Sequence, residues 1–281
     1  MLDQSSAAAL STSPAFGERR FGRVNWLGLW TLIVKEMRRF MKVSFQTIFA
    51  PVISTILFLV VFIQAFGASR AAIGGVPYVE FLAPGLVMMA VLTNAFANSS
   101  SSIIIGKVQG SIVDVLMPPL SAAELTVAFV IGAAARGLLV GFVTAATSAS
   151  FMAYSSTPMH LEHWWAIAYF SVGAALMFGM LGIIGGVWAE KFDQLAAVTN
   201  FVITPLTFLS GTFYAIKSLP EPFLTASHFN PAFYLIDGFR YGFTGAFEAP
   251  PMNGVLITLG INAALGYWCY RLLKSGYKLK S

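Results

Sequence analysis

The chain has 281 residues, of which 57% are hydrophobic and only 10% charged, and its mean hydropathy is +0.74. Soluble domains carry about 25% charged residues, so this composition excludes an ordinary water-soluble domain and indicates a surface that faces lipid. The 17 basic and 12 acidic residues leave a formal charge of +5. The basic residues flank apolar segments, so we expect membrane lipids, and no nucleic acid, as partners.

The chain begins with a segment that predicts little ordered structure. Residues 1–24 are rich in Ser and Ala and bury little apolar surface, so they are predicted to form a flexible tail. Across residues 25–42, apolar side chains recur at helical spacing opposite charged ones, among them Lys35, Glu36 and Arg39. This pattern predicts an amphipathic helix that lies on the inner leaflet.

Six apolar segments follow, each long enough to cross a bilayer. Their predicted limits are residues 45–66, 81–105, 122–150, 164–188, 195–214 and 255–273, and residues 274–281 form a short tail. Basic residues crowd both flanks, which places both termini in the cytoplasm and agrees with an even number of spans. The chain is therefore predicted to be an all-α membrane protein with six transmembrane helices.

Two connections are longer than simple turns. Residues 106–121, between spans two and three, predict a short cytoplasmic helix that ends at Pro118. The apolar face of this helix would be exposed to water unless it packs against a partner protein or against the amphipathic helix of the same chain. Residues 215–254 contain several prolines within apolar sequence. They predict two short helices split near Asn230-Pro231, which form a re-entrant pair at the outer leaflet.

Polar residues and glycines inside the spans limit how the helices face one another. Asn94 and Asn98 lie one helical turn apart and should face the interior, either along a substrate path or in a helix–helix hydrogen bond. Gly182 and Gly186 permit a close helix approach, within the chain or between two copies. Arg136 lies deep within span three, where an unpaired charge costs about 2.5–3.5 kcal/mol on insertion scales. Its partner cannot be named from the sequence.

Several sequence runs resemble the membrane subunit of type-2 ABC transporters. They are PLTFLSGTFY at 205–214, LP at 219–220, NPAFYLIDGFR at 230–240, DVLMPPLS at 114–121, Glu124, and the Arg136-Gly137 pair. The resemblance assigns residues 25–273 to that transmembrane domain. The chain departs from the family at Ala122, where many members carry a basic residue.

The resemblance implies a homodimer in the bacterial inner membrane, with a cytoplasmic P-loop ATPase subunit on each copy. ATP and Mg would be bound by that partner, because the chain carries no Gly-x4-Gly-Lys-Ser/Thr motif. The chain itself is expected to be neither an enzyme nor a cofactor- or metal-binding protein.

The resemblance also suggests two sets of functional residues. ATPase coupling is expected from residues 106–121, which we call the inner loop, and from the amphipathic helix. The residues concerned are Lys107, Ser111, Ile112, Asp114, Val115, Leu116, Met117, Pro118, Lys35, Glu36 and Arg39. The substrate path is expected to include Asn94, Asn98, Phe201, Phe208 and Leu209. Phe208 and Leu209 lie where the family has an apolar constriction, which could close by dewetting. Ordinary packing is the alternative for these two residues.

The predicted function is that of the membrane half of an ATP-driven exporter. Its substrate would be an amphiphile: a drug, a lipid, a glycolipid or a polysaccharide. The alternative is a secondary transporter or channel that needs no ATPase. Such proteins usually show intramembrane acids or internal repeats, which this sequence lacks.

Overall fold

The computed structural model describes residues 22, 24–66, 75–154 and 160–279. The predicted tail 1–24, apart from Gly22 and Val24, and the last two residues of the tail 274–281 lie outside the described residues. The described part folds into helices, in the order α1 Trp26–Met41, α2 Ser44–Phe66, α3 Tyr78–Val108, α4 Ile112–Leu116, α5 Ala122–Tyr154, α6 Trp164–Trp188, α7 Phe192–Val198, α8 Thr204–Phe208, α9 Glu221–Phe229, α10 Pro231–Thr244 and α11 Pro251–Ser275.

The predicted amphipathic helix is α1. Asn25 caps it, because its side-chain oxygen accepts a hydrogen bond from the Gly28 backbone N–H at 3.0 Å. Leu32 and Ile33 are buried against the rest of the fold, whereas Trp26 and Trp30 are exposed on the other side. The helix therefore has a protein-facing side and a side with large apolar rings free to meet lipid.

Four helices are long and apolar enough to cross a membrane: residues Ser44–Ala65, Tyr78–Val108, Ala122–Ala153 and Trp164–Trp188. They correspond to the first four predicted spans. The helix α3 extends beyond the predicted limits at both ends, to Tyr78 and Val108, so Lys107 belongs to its last turn and not to the loop.

The fifth predicted span, residues 195–214, is not one continuous α-helix. It runs as α7, a π-helical turn at Thr199–Ile203, and α8, and it ends at Phe208. The backbone N–H of Thr204 bonds to the carbonyl of Thr199, five residues back. Pro205 has no N–H to continue an α-helical ladder, so the wider turn immediately before it accommodates the missing bond.

The sixth predicted span lies within α11, which begins at Pro251. Neither α11 nor the interrupted α7–α8 segment is among the four helices above, so six spans remains a prediction. Residues 215–254, the segment predicted at the outer leaflet, contain α9 and α10, which meet at Asn230. The Asn230 side chain accepts from the Ala232 backbone N–H and donates to the Leu206 carbonyl. The predicted split is confirmed, whereas re-entry into the membrane remains a prediction.

The core lies where α3 packs against α5 and α6. A Cβ on Gly182 would lie 2.4 Å from the carbonyl oxygen of Phe96, and one on Gly186 would lie 2.9 Å from that of Ser100. These glycines thus let α6 approach α3 within the same chain, which was one of the two alternatives. By contrast, only 11% of the apolar window of α2 is buried inside the structure.

Candidate functional site

A polar stripe on α3 faces the protein interior halfway along the helix. Asn94 is 7% exposed and Asn98 is fully buried. Arg136 of α5 donates from Nη2 to Oδ1 of Asn94 at 3.2 Å. The Nδ2 of Asn94 donates to the Ala90 carbonyl one turn back. The partner of Arg136 is therefore a neutral amide, and both the oxygen and the nitrogen of that amide are engaged in hydrogen bonds.

The end of α1 is joined to the same stripe. Arg39 donates from Nη2 to the carbonyl and Oδ1 of Asn98, at 2.7 and 2.9 Å, and from Nη1 to Ser101 at 3.2 Å. It also pairs with Glu36 at 3.1 Å. Glu36 is 1% exposed and accepts a hydrogen bond from Ser102 at 2.8 Å. We refer to Glu36, Arg39, Asn94, Asn98, Ser101, Ser102 and Arg136 as the inner polar cluster.

Two donors in this cluster lack partners among the described residues. The Nε of Arg136 and the Nδ2 of Asn98 are buried without a hydrogen-bond acceptor. The cluster contains two guanidinium groups and one carboxylate, a net charge of +1. It therefore has unmet capacity to donate hydrogen bonds and an uncompensated positive charge.

An open groove borders the cluster between α2 and α3. Its volume is 330 Å³, and its polar lining includes Ser54, Thr55, Thr93 and Asn94. The groove connects the polar stripe of α3 with the exposed side of α2. Hydroxyl and amide groups beside apolar side chains suit a molecule that has both polar and apolar parts.

The inner loop contains the predicted short helix, α4, which begins after Gly110 and ends before Pro118. Ile112 and Val115 are 7% and 8% exposed and pack in one core cluster with Leu32 and Ile33 of α1. This apolar face is thus buried within the same chain: the end of α3 lies directly beside it, since a Cβ on Gly106 would be 3.4 Å from Ile112 Cδ1, and α1 belongs to the same cluster. Leu116 is half-buried beside it.

The outward side of α4 remains uncovered. Val113 is 52% exposed, Met117 is 77% exposed, and Asp114 and Pro118 are exposed as well. A groove of 280 Å³ runs between α4 and α1 and is lined by Asn25, Leu27, Gly28, Thr31, Leu32, Lys35, Asp114, Val115, Pro118 and Leu120. The structure therefore brings Lys35 and the predicted coupling loop onto one surface. Glu36 and Arg39 lie beneath that surface, in the inner polar cluster.

Two charged side chains join the helices at the two ends of this loop to their neighbours. Lys107 donates to the carbonyls of Val187 and Ala189 and so caps the end of α6. Glu124 accepts from the N–H and hydroxyl of Ser121 and also from the Asn25 backbone N–H, which ties α5 to α1. The spacing Ser121-x-x-Glu124 is a capping-box signature. This signature is visible in the sequence, but neither residue was among the predicted coupling residues.

The remaining path candidates lie away from the inner polar cluster. Phe201 is 81% exposed, and Phe208 and Leu209 are about 40% exposed. Phe208 stacks on Phe213 with centroids 5.2 Å apart, and Phe213 in turn stacks on Phe62 of α2. An apolar constriction here remains a prediction.

A second group of charges, which we call the outer ionic cluster, comprises Asp237, Arg240 and Glu248. The Nη1 of Arg240 lies 4.0 Å from Asp237 and 3.9 Å from Glu248. Arg240 also donates to the Phe81 and Gly211 carbonyls at 3.1 and 2.7 Å. Its guanidinium carbon lies 3.6 Å above the centre of the Phe81 ring, a cation–π contact.

The carboxylates of this cluster hold the loop after α10. Asp237 accepts hydrogen bonds from the backbone N–H groups of Glu248 and Ala249. Burial raises the pKa of Glu248 above the ordinary glutamate value, and the nearby Arg240 charge opposes the shift. Glu248 was not predicted from the sequence, because only the fold brings it back beside Arg240.

Comparison with known proteins gives consistent matches. Residues 28–244 match the family described as ABC-2 type transporter. The chain is 37% identical over 258 residues to the inner membrane transport permease YadH of Escherichia coli K12, covering 91% of this chain and 98% of that protein. It is 25% identical over 245 residues to nodulation protein J of Rhizobium leguminosarum bv. viciae, covering 85% and 88%. It is 24% identical over 217 residues to nodulation protein J of Sinorhizobium fredii, covering 77% and 80%.

Proposed function

The chain belongs to the ABC-2 type transporter family as a membrane permease subunit, and from this premise we propose that it forms half of an ATP-driven exporter. Two copies would act with two cytoplasmic ATPase subunits, which bind ATP and Mg. The substrate would be an amphiphile, such as a drug, a lipid, a glycolipid or a polysaccharide, moved outward across the bacterial inner membrane. Both termini would lie in the cytoplasm.

The observation that carries this proposal is the uncovered outward side of α4. A water-exposed helix presenting Val113 and Met117 gains stability when a partner covers these side chains. Asp114 of α4 and Lys35 of α1 border the same groove and can orient the partner through charge. At the two ends of the loop, Lys107 joins α3 to α6 and Glu124 joins α5 to the start of α1, so a push on α4 would pass to these helices.

The exposed ridge of α2 supports the second copy. Phe45, Phe49, Ile53, Leu57 and Val61 recur every four residues and are all at least half exposed. Residues at this spacing form one face of a helix. A second copy placed against α2 would enclose the groove between α2 and α3 and separate it from lipid.

Co-purification tests the proposal. We expect the tagged chain to retain a P-loop ATPase and a second, differently tagged copy of itself. Val113→Ser combined with Met117→Ser should leave the chain folded but reduce ATPase retention at least about tenfold, because several apolar contacts are lost. Phe192→Ser is the matched control, since Phe192 is 50% exposed at the start of α7, next to the predicted connection between spans four and five.

Two results would overturn the proposal. One is unchanged ATPase retention in the Val113/Met117 double variant. The other is substrate movement by the chain alone in vesicles without any ATPase, which would identify a secondary transporter or channel.

A further inference from the structure

Two strips of exposed side chains lie next to each other along α1. The apolar strip includes Trp26, Trp30, Met37 and Met41, which are 39% to 73% exposed. The basic strip consists of Lys35, Arg38 and Lys42, all of them exposed. On a helix of 3.6 residues per turn, the members of each strip fall within roughly 60° of one another. A partner that covers both strips therefore has to offer apolar surface beside negative charge.

A groove of 630 Å³, which we call the basic groove, runs where the two strips meet. It is lined by Trp30, Thr31, Val34, Lys35, Arg38, Arg39 and Lys42. Four of these side chains are cations, and none is an acid. Unlike Arg136, whose unpartnered Nε is fully buried, Arg38 and Lys42 are exposed and line an open space. The groove therefore has room for a ligand and cations that a ligand can reach.

The charge of the basic groove is largely uncompensated. Arg39 pairs with Glu36 at 3.1 Å. Within the described part of the chain, Lys35, Arg38 and Lys42 take part in no ion pair. They follow one another at intervals of three and four residues, the spacing at which like charges on a helix repel each other. An anion bound in the groove would offset this repulsion.

The position of α1 in the chain favours a membrane as the source of that anion. Lys42 lies two residues before Ser44, where α2 begins, and α2 is long and apolar enough to cross a membrane. Anionic head groups attract basic segments next to a membrane-crossing helix, and tryptophans such as Trp30 are enriched where head groups meet acyl chains. The other end of α1 lies against the inner loop, where Asn25 donates to the Pro119 carbonyl. The two ends of α1 therefore face different surroundings.

We propose that the basic groove binds the head group of an anionic phospholipid. Arg38 and Lys42 contact the phosphate, and Trp30 packs against the glycerol and the first part of the acyl chains. The lipid is a resident of the leaflet next to α1 and not the cargo. This inference goes beyond the proposed function, since neither an ATPase nor a second copy of the chain enters it.

Lipid binding to the purified full chain in detergent tests the proposal. The probes are dihexanoyl phosphatidylglycerol, dihexanoyl phosphatidylcholine and glycerol phosphate, with the Kd measured by thermophoresis. We expect phosphatidylglycerol to bind most tightly, because phosphatidylcholine has no net charge and glycerol phosphate has no acyl chains. Arg38→Gln combined with Lys42→Gln should weaken phosphatidylglycerol binding about 25-fold, since each basic residue near an anionic surface contributes roughly a factor of five. The affinity for phosphatidylcholine should not change.

Arg271→Gln combined with Lys274→Gln is the matched control. It removes two exposed cations near the end of α11, on the same predicted cytoplasmic flank, and should leave the Kd for phosphatidylglycerol within about twofold. Trp30→Ala tests the apolar side of the groove. It should weaken phosphatidylglycerol binding several-fold and leave glycerol phosphate binding unchanged, because only the lipid carries apolar surface. All the changed side chains are exposed, so the Tm of each ligand-free variant should stay close to that of the wild type.

Several outcomes would overturn the proposal. Equal affinity for phosphatidylcholine or glycerol phosphate would remove the need for an anionic lipid. An unchanged Kd in the Arg38/Lys42 variant, or an equal loss in the Arg271/Lys274 control, would show that the groove is not the site. The other candidate occupant is an acidic surface of the ATPase, which loss of ATPase retention by the Arg38/Lys42 variant at unchanged lipid affinity would identify. Because lipid binding is measured on the chain alone, failure to retain any ATPase would count against the proposed function and not against the lipid site.

Discussion

The two deeply placed arginines, Arg136 and Arg240, have opposite surroundings. Arg240 is 3% exposed, lies near two carboxylates, donates to two backbone carbonyls and packs over the Phe81 ring. Arg136 has one amide partner and an unpartnered Nε. Burying a charge is costly unless pairing and hydrogen bonds compensate for it. The comparison therefore indicates that Arg240 is a compensated charge that holds the fold together, whereas Arg136 is held by a single neutral partner.

The two arginines also differ in how many parts of the chain they connect. Arg240 bonds to the Phe81 carbonyl of α3 and to the Gly211 carbonyl after α8, so it joins three parts of the chain. Gly85 lies beside it, where a Cβ would be 2.7 Å from the Thr212 carbonyl oxygen. Arg136 contacts a side chain of one neighbouring helix. Removing Arg240 should therefore disturb the fold far more than removing Arg136.

Arg240→Gln should produce the largest loss of stability. It leaves Asp237 and Glu248 without their cation, and removing one partner of a buried pair costs about 3–5 kcal/mol. Arg136→Gln should change the free energy of unfolding by much less, or increase it. Unfolding in a titration with a denaturing detergent measures both. Lys217→Gln, an exposed change near the same cluster, is the control. Equal losses for the two arginine variants would refute the distinction between them.

Glu36→Gln should have an intermediate effect. It removes the one carboxylate of the inner polar cluster and leaves at most a neutral hydrogen bond in place of the ion pair with Arg39, for an expected loss of about 1–2 kcal/mol. The loss is smaller than for Arg240 because Arg39 is 26% exposed and water can solvate it. The same titration with a denaturing detergent measures this loss. An unchanged free energy of unfolding would show that Arg39 does not depend on the Glu36 carboxylate.

The sequence predicted much of the fold, because hydropathy and helical periodicity are local signals. These located α1, the four long apolar helices and the split at Asn230. The interruption in the fifth segment was missed, since a π turn before Pro205 leaves the hydropathy unchanged. The apolar face of α4 was correctly identified, but whether α1 or another protein covers it depends on tertiary packing.

The partners of the charged residues could not be predicted in this way. Arg136 and Asn94 are 42 positions apart on different helices, and Arg39 and Asn98 are 59 positions apart. Which residues meet depends on the relative rotation and shift of α1, α3 and α5, which no local pattern specifies. The sequence identified Arg136 and Asn94 as unusual separately, and only the structure joins them.

Glu248→Gln should have the smallest effect and a distinctive pH dependence. Because burial raises the pKa of Glu248, the fold favours the protonated carboxyl over the charged one. The stability from this group is fully present below the ordinary glutamate value of 4.5, and it is lost as pH rises through the higher folded pKa. Glutamine cannot ionise, so at pH 7 the variant should be as stable as the wild type or more so, within about 1 kcal/mol.

The variant should also remove the contribution of Glu248 to the pH dependence of stability above pH 4.5. Measuring Tm between pH 4 and pH 8 would show this change. Asp237→Asn is the matched comparison. Asp237 accepts backbone hydrogen bonds from Glu248 and Ala249, so its neutral amide should destabilise the loop after α10. If Glu248→Gln destabilised the protein as strongly as Arg240→Gln, Arg240 would require both carboxylates in their charged form. Arg240 would then still be a compensated charge, but one balanced by two anions, and the contrast with Arg136 would be larger.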